Sequence, residues 1–191
     1  MSFSVPPPVV ELILLAVVLV AAVYDIRFRR IPNWLTLSGV IAGLVINAFV
    51  RTPAPAVLSF AGLLFALKGL ALAFGLYFFL YAIRAMGAGD AKLMAAVGAL
   101  VGWEDWFGIF ILTAIIGGLA ALVLSLARGR LKTTIWNVGF ILSEMKHGRP
   151  AYLGKEELDV RSSKGLGLPH GAVIAAGTLL FLIAGYSVHL S

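Results

Sequence analysis

The chain has 191 residues, of which 61% are hydrophobic and 13% are charged, and its formal net charge is +6. Soluble domains are ~45–50% apolar and ~25% charged, so this composition excludes an ordinary soluble domain, a disordered tail and a nucleic-acid-binding protein. The absence of cysteine excludes disulfides, thiol catalysis and cysteine-ligated metals. The three histidines lie too far apart in sequence for a local metal motif, and we expect neither a metal nor another cofactor. They are His147, His170 and His189.

Six apolar segments predict an all-α fold, a polytopic bundle of about six transmembrane helices that forms a single membrane-embedded domain over residues 1–191. A spanning helix needs roughly 17–25 mostly apolar residues. In chain order the predicted spans are Val9–Tyr24, Trp34–Val50, Ala56–Ile83, Ala91–Trp103, Trp106–Ala127 and His170–Val188. The second span is predicted to end at the proline-containing linker 51–55. An exposed acidic turn, Glu104-Asp105, is predicted between the fourth and fifth spans.

Three tryptophans fall at predicted span ends, where interfacial indole rings occur. They are Trp34, Trp103 and Trp106. The third segment, Ala56–Ile83, is longer than one crossing requires, because 28 residues extend about 42 Å against a hydrocarbon core of ~30 Å. Either it is one tilted helix, or 56–67 is an interfacial piece that precedes a shorter span beginning near Gly69. Lys68 is then most simply a lysine that extends its ammonium group to the interface.

Basic residues in the predicted loops fall almost entirely on one side of the membrane, and the opposite side keeps only Arg51. The positive-inside rule makes the basic side cytoplasmic and places both termini outside the cytoplasm. The large cytoplasmic loop, about 128–168, is predicted to contain an amphipathic surface helix, Leu131–Lys146, followed by a flexible loop over 148–167. The basic residues are Arg27, Arg29, Arg30, Arg84, Lys92, Arg128, Arg130, Lys132, Lys146, Arg149, Lys155, Arg161 and Lys164.

Two aspartates, Asp25 and Asp90, lie where an apolar helix meets a basic turn. An ionisable group at membrane depth is costly and is a functional candidate by default, although a single interfacial aspartate more often pairs with an arginine or caps a helix. Two crossings separate these residues, so both return to the same side. Gly87 and Gly89 next to the second aspartate leave the backbone open to close approach by another chain.

Two carboxyls in one low-dielectric site are the machinery of aspartic proteolysis, because like charges a few ångströms apart share a proton. The ionised carboxylate takes a proton from water while the protonated carboxyl polarises the scissile carbonyl. Asp25 lies at the negative C-terminal end of the first helix, and Asp90 opens the fourth helix at its positive end. From these helix ends we expect Asp90 to be the ionised base and Asp25 its protonated partner.

These motifs resemble those of the type IV prepilin peptidases, which are GxGD membrane aspartic proteases. The stretch Gly87-Ala88-Gly89-Asp90-Ala91-Lys92-Leu93 is similar to the GxGD-x-K-L motif of that family. The stretch Asp25-Ile26-Arg27-Phe28-Arg29-Arg30-Ile31-Pro32-Asn33 is similar to its D-x(5)-IPN turn. Leu168-Pro169-His170-Gly171 is similar to its P-[FY]-G segment, with histidine at the aromatic position.

The resemblance implies an aspartic-type endopeptidase that removes the short basic leader of prepilins and pseudopilins at the cytoplasmic face of the bacterial inner membrane. Its implied partners are those substrates, with their basic leader and N-terminal hydrophobic helix, and the membrane lipids; nucleic acid is not among them. Larger members carry an N-terminal domain with paired Cys-x-x-Cys motifs and methylate the new N-terminus. This cysteine-free chain is similar to the compact peptidases of Tad/Flp pilus systems, and we expect no N-methyltransferase activity.

The resemblance makes Asp25 and Asp90 the expected catalytic residues. The residues expected to support the site are Gly87, Gly89, Lys92, Pro32 and Asn33. Pro32 and Asn33 either shape the turn that holds the first aspartate or support catalysis directly. Lys92 either tunes the second aspartate or meets a lipid phosphate.

Two further residues, Pro169 and Gly171, are candidates for substrate binding. Pro169 interrupts the backbone before the last helix and could expose it to an extended substrate strand, or it simply begins that helix.

A non-enzymatic alternative is a small transporter or a pilus-assembly scaffold in which Asp25 and Asp90 bind cations or protons. Replacement of either aspartate by asparagine separates the two classes, since a peptidase loses cleavage and a scaffold continues to support assembly.

Overall fold

The computed structural model describes residues 6–50, 58–146 and 168–190, and within these ranges the regular structure is entirely helical. The fold is therefore the all-α, polytopic membrane helix bundle that the sequence predicts. The predicted linker 51–55 and flexible loop 148–167 lie outside the described residues. The helices are α1 (Pro8–Phe28), α2 (Asn33–Val50), α3 (Phe60–Ala82), α4 (Ala88–Ala127), α5 (Leu131–Lys146) and α6 (His170–Leu190).

Four of the described helices, α1, α3, α4 and α6, are long and apolar enough to cross a membrane, and α2 is a shorter apolar helix. Helix α3 begins after Ser59, whose hydroxyl accepts a hydrogen bond from the Gly62 N–H at 3.1 Å. It continues without a break for 23 residues, or about 35 Å. The third predicted segment is thus one spanning helix from Phe60 onward, and Lys68 is exposed on it.

Helix α4 has 40 residues and is broken at Gly102, where φ is +79° and ψ is −179°. Before the break, Gly98 packs against Gly69 of α3. After it, Gly108 faces Phe181 and Gly117 faces Val173, so the chain advances toward the beginning of α6. Because the first segment also starts at that end of the bundle, the two segments run in opposite directions. They correspond to the fourth and fifth predicted spans.

The turn between the fourth and fifth predicted spans does not lie at Glu104-Asp105, so that prediction is wrong. The chain reverses at Gly102, so Asp105 and Trp106 already belong to the returning helix and face the bundle, where they are 5% and 0% exposed. Trp106 is therefore a core residue rather than an interfacial one, and its ring stacks on Phe110 with centroids 5.5 Å apart. Trp34 and Trp103 are exposed, as expected at span ends.

The break in α4 is held from the side by a buried amide on α2. The Asn47 side-chain nitrogen donates to the carbonyl oxygens of Ala99 and Leu100 at 3.1 and 3.0 Å, and to that of Gly43 at 2.9 Å. Ala99 and Leu100 belong to the last turn before the break, where carbonyls lose their usual helical N–H partners. Asn47 thus supplies donors to backbone groups that a broken helix leaves inside an apolar core.

The two ends of the bundle differ in charge. The end where α1 finishes and α2, α4 and α6 begin carries Arg27, Arg29 and Arg30. At the other end Glu11 accepts a hydrogen bond from the Tyr186 hydroxyl, and Glu104 follows the break in α4. The predicted helix over Leu131–Lys146 is present as α5, joined to α4 by a hydrogen bond between Ser125 and Thr134.

Alanine substitutions at two glycines of α4 test the break. Gly102→Ala is expected to lower stability by about 2–4 kcal/mol, because its backbone conformation is essentially restricted to glycine and a Cβ would lie 2.0 Å from the Phe65 ring. Gly118→Ala is the matched control, since its Cβ meets nothing within 4 Å, and it is expected to gain about 0.5–1 kcal/mol. Thermal unfolding in detergent followed by circular dichroism measures both. Equal stabilities for the two variants would contradict the assigned break.

Candidate active site

Asp25 lies in the last turn of α1 and is 8% exposed. Its Oδ2 accepts a hydrogen bond from the backbone N–H of Gly171 at 2.7 Å. The two residues approach so closely that a Cβ on Gly171 would lie 3.0 Å from the Asp25 Cβ. Glycine at the start of α6 therefore allows a backbone donor to reach a carboxylate on the first helix.

Asp90 lies in the first turn of α4 and is half-buried. Gly87 precedes the helix as its N-cap, and its N–H hydrogen-bonds the Asp90 carboxylate. This is the side-chain half of a capping box, in which the residue at the third helical position reaches back to the cap. A Cβ at Gly87 would lie 3.1 Å from Asp90 Oδ2, so the first glycine of the motif leaves room for the carboxylate beside it.

The structure brings the two aspartates together at one end of the bundle. Asp90 is close enough to Asp25 and to His170 for their charges to interact. Both carboxyls lie at the positive, N-terminal end of a helix, since Asp90 opens α4 and Asp25 faces the first turn of α6. The helix ends therefore do not distinguish the two carboxyls, because α6 was not considered beside the end of α1, and the assignment of an ionised Asp90 and a protonated Asp25 stays a prediction.

The turn between α1 and α2 packs directly on the glycine motif of α4. The Ile31 side chain lies 3.3 Å from the position a Cβ of Gly89 would occupy. Two residues later, Asn33 Oδ1 accepts a hydrogen bond from Lys92 Nζ at 2.9 Å. The Lys92 ammonium is thus directed to α2. Pro32 lies between these contacts, and its carbonyl accepts a 3.4 Å hydrogen bond from Thr36 N–H, which starts α2.

The two residues expected to bind substrate have structural contacts. The Pro169 carbonyl accepts a hydrogen bond from Val173 N–H at 3.2 Å, which is the opening bond of α6. The Gly171 N–H is occupied by Asp25. Pro169 thus begins the helix, and Gly171 supports the carboxylate site.

Two residues near the carboxylates were not predicted as part of the site. In the sequence, His170 departs from the aromatic residue of the P-[FY]-G segment, and no role in the site was predicted for it. Tyr77 is buried on α3, within range of the charge on Asp90, and its ring contacts Trp106 and Phe110. Nothing in the apolar sequence of α3 distinguishes this tyrosine from its neighbours.

Among the residues that the structure describes, no group of three or more His, Cys, Asp or Glu side chains could hold a metal ion. The expected absence of a metal and of other cofactors stays a prediction.

Comparison with known proteins places the chain in a family. Its residues 12–122 match the model of the type IV leader peptidase family, a range that includes both aspartates and the turn between α1 and α2. The chain belongs to the type IV leader peptidase family, as its sequence motifs predict.

Three curated relatives carry the name prepilin leader peptidase/N-methyltransferase. The relative from Burkholderia pseudomallei (strain 1026b) is 34% identical over 122 residues, which are 62% of this chain and 38% of that protein. The relative from Pectobacterium carotovorum subsp. carotovorum is 35% identical over 115 residues, covering 59% and 40%. The one from Klebsiella pneumoniae is 34% identical over 93 residues, covering 49% and 40%. The chain thus spans about two fifths of the length of these relatives. No solved structure matches it significantly.

The contact between Lys92 and Asn33 is expected to couple the starts of α2 and α4. We expect Lys92→Met and Asn33→Leu each to lower stability by about 1 kcal/mol, and the double variant to lose little more than either alone. Asn33→Asp restores an acceptor and is expected to recover the loss. Thermal unfolding of the four variants in detergent measures the coupling. Losses that add fully in the double variant would show that the hydrogen bond carries no coupling.

Proposed function

We propose that this chain is a membrane aspartic endopeptidase that removes the leader peptide of prepilins, with Asp25 and Asp90 as its catalytic pair. The observation that carries the proposal is the meeting of two carboxyls at one end of the bundle. One comes from the D-x(5)-IPN turn and the other from the GxGD motif. The relatives' printed name, prepilin leader peptidase, supports the substrate class.

In the proposed mechanism the two carboxyls share one proton. The ionised carboxylate takes a proton from a water molecule, and the resulting hydroxide adds to the carbonyl carbon of the scissile peptide. The protonated carboxyl gives its proton to the carbonyl oxygen as that oxygen gains negative charge. As the tetrahedral gem-diol collapses and its C–N bond breaks, the carboxyl that holds the proton gives it to the leaving nitrogen. The other carboxylate takes a proton from a gem-diol hydroxyl, so the pair again holds one proton and the new acyl end leaves as a carboxylic acid.

The surroundings of the pair suit this chemistry. The Gly171 N–H and the Gly87 N–H each donate to one carboxylate, so these backbone donors orient the two acids without occupying the rest of their oxygen atoms. The contacts of Ile31 on Gly89 and of Lys92 on Asn33 fix the turn after Asp25 against the helix of Asp90. Catalytic groups need such support because small displacements are costly.

The proposed orientation has the site at the cytoplasmic face of the bacterial inner membrane, with both termini periplasmic. The grouping of Arg27, Arg29 and Arg30 with the carboxylates at one end of the bundle supports this, since basic residues collect on the cytoplasmic side. Prepilins would present their basic leader there, with their hydrophobic helix in the bilayer. We further propose Flp-type prepilins as the substrates, on the likeness to the compact peptidases noted above. The exposed apolar residues of α5, Ile135 and Trp136, suit a helix lying on the cytoplasmic leaflet.

Purified chain in lipid nanodiscs, mixed with an Flp-type prepilin, tests the function. Wild type is expected to remove the leader, whereas Asp25→Asn and Asp90→Asn are each expected to lose at least about 10³-fold in rate, because neither half of an acid–base pair can be replaced by an amide. Asp159→Asn is the matched control, since it makes the same change outside the pair and is expected to keep the wild-type rate. Mass spectrometry of the product gives the cleavage position, and we expect an N-terminus without a methyl group.

The possible results of this experiment separate the proposed peptidase from the scaffold and test for methyltransferase activity. Full cleavage by either variant would refute the catalytic pair, and no cleavage by folded wild type would refute the peptidase. Support of pilus assembly by both variants in cells would favour the scaffold. A methylated product would overturn the expectation that the chain lacks methyltransferase activity.

A further inference from the structure

His170 is the first residue of α6 and directly precedes the glycine whose N–H binds Asp25. Because a single peptide unit joins His170 to this glycine, the hydrogen bond also fixes the place of His170 beside the Asp25 carboxylate. His170 is half-buried, and Asp90 lies close enough for the two charges to interact. A third ionisable side chain thus stands beside the two carboxyls, and the mechanism above does not use it.

The hydrogen bonding of the His170 ring leaves one nitrogen available to bind a proton. Nδ1 lies 3.2 Å from the Leu168 carbonyl oxygen. A carbonyl oxygen only accepts hydrogen bonds, so Nδ1 must carry the hydrogen in this contact. In the neutral ring Nε2 then has a lone pair, and proton binding there makes the ring a cation without breaking the bond to Leu168.

The helices around His170 present carboxyl groups to it. α6 packs mainly against α1 and α4. At this end of the bundle these helices place Asp25 and Asp90 near its first turn, and the end of α1 also carries Arg27, Arg29 and Arg30. Lys92 of α4 is bonded to Asn33. Glu11 of α1 lies at the opposite end of the bundle, where it is bonded to Tyr186. Asp90 is within range of the charge on the ring, and Asp25 is bonded to the glycine that follows it, so a cation on the ring is attracted to these acids, which lie at the same end of the bundle as the three arginines.

We propose that His170 is a positioning residue of the carboxylate site, a third proton-binding group whose positive charge favours the ionised state of the acid pair at acidic pH. The inference rests on the proposed function in one of its two tests, the pH dependence of cleavage; the other test, the titration of the His170 ring, needs no cleavage. Histidine is the side chain that ordinarily changes charge between about pH 5 and pH 8.

The pH profile of kcat/KM for leader removal gives the first test. His170→Asn keeps an N–H donor for the Leu168 carbonyl but binds no proton, so the acidic limb of its profile is expected to shift toward higher pH. His189→Asn, the same substitution near the other end of α6, is the matched control and is expected to follow the wild-type profile. His170→Phe, a ring without a titratable nitrogen, is expected to shift in the same direction as His170→Asn. Profiles of both His170 variants that coincide with wild type would overturn the proposal.

The second readout requires no cleavage. Histidine ring signals followed by NMR in nanodiscs give the titration of His170, assigned by their loss in His170→Asn. In Asp90→Asn the His170 titration is expected to move to lower pH, because the neighbouring negative charge is gone. An unchanged titration would refute the inference. A chain that cleaves no prepilin but shows the shift would refute the proposed function and leave the role of His170 standing.

Discussion

The hydrogen bond from the Gly171 N–H to the Asp25 carboxylate joins residues 146 positions apart in the sequence, and the rest of the site depends on it. It fixes the end of α1 to the start of α6, at the place where α4 also begins. Leaving a buried carboxylate without its donor is costly in an apolar bundle, so this contact restricts how the three helices can be arranged. Because Asp90 lies in the first turn of α4 and His170 in the first turn of α6, the same contact also determines where these two side chains lie.

Close backbone approach is the second constraint, and glycine makes it possible. A Cβ on Gly69 would lie 2.0 Å from the Gly98 carbonyl oxygen, so α3 and the first segment of α4 touch along their backbones. That segment is short because the chain reverses at Gly102, and Asn47 of α2 binds the carbonyls freed by the reversal. Close packing against α3 and the hydrogen bonds from Asn47 to backbone carbonyls in the membrane core thereby hold the short first segment of α4 in place, with Asp90 at its start.

The sequence predicted the helices and the pairing of the aspartates, because hydropathy identifies spans and an even number of crossings returns the chain to the same side. It did not place the reversal of α4. In a membrane bundle both the core-facing and the lipid-facing sides of a helix are apolar, so hydropathy could not separate Trp106, which is buried, from an interfacial tryptophan. Glu104 and Asp105 look like a turn in sequence, yet the backbone turns earlier, where glycine permits it.

Contacts between distant elements account for the remaining differences. Neither the role of Gly171 as a donor to Asp25 nor that of Asn47 as a donor to α4 follows from a local pattern, since each partner lies more than 50 residues away. The end of α1 alone did not describe the surroundings of Asp25 for the same reason. The electrostatic surroundings of a carboxyl depend on every helix end that reaches it, and α6 is distant in sequence.

The central claim is that Asp25 and Asp90 occupy one site, and a proximity measurement in the membrane tests it most directly. The cysteine-free sequence allows the double variant Asp25→Cys/Asp90→Cys to be treated with a short bifunctional thiol reagent, with Asp25→Cys/Asp105→Cys as the control pair. The structure predicts efficient intramolecular cross-linking of the first pair and little of the second, because Asp105 follows the reversal of α4 at the opposite end of the bundle. Failure of the first pair to cross-link, or equal cross-linking of both, would contradict the account.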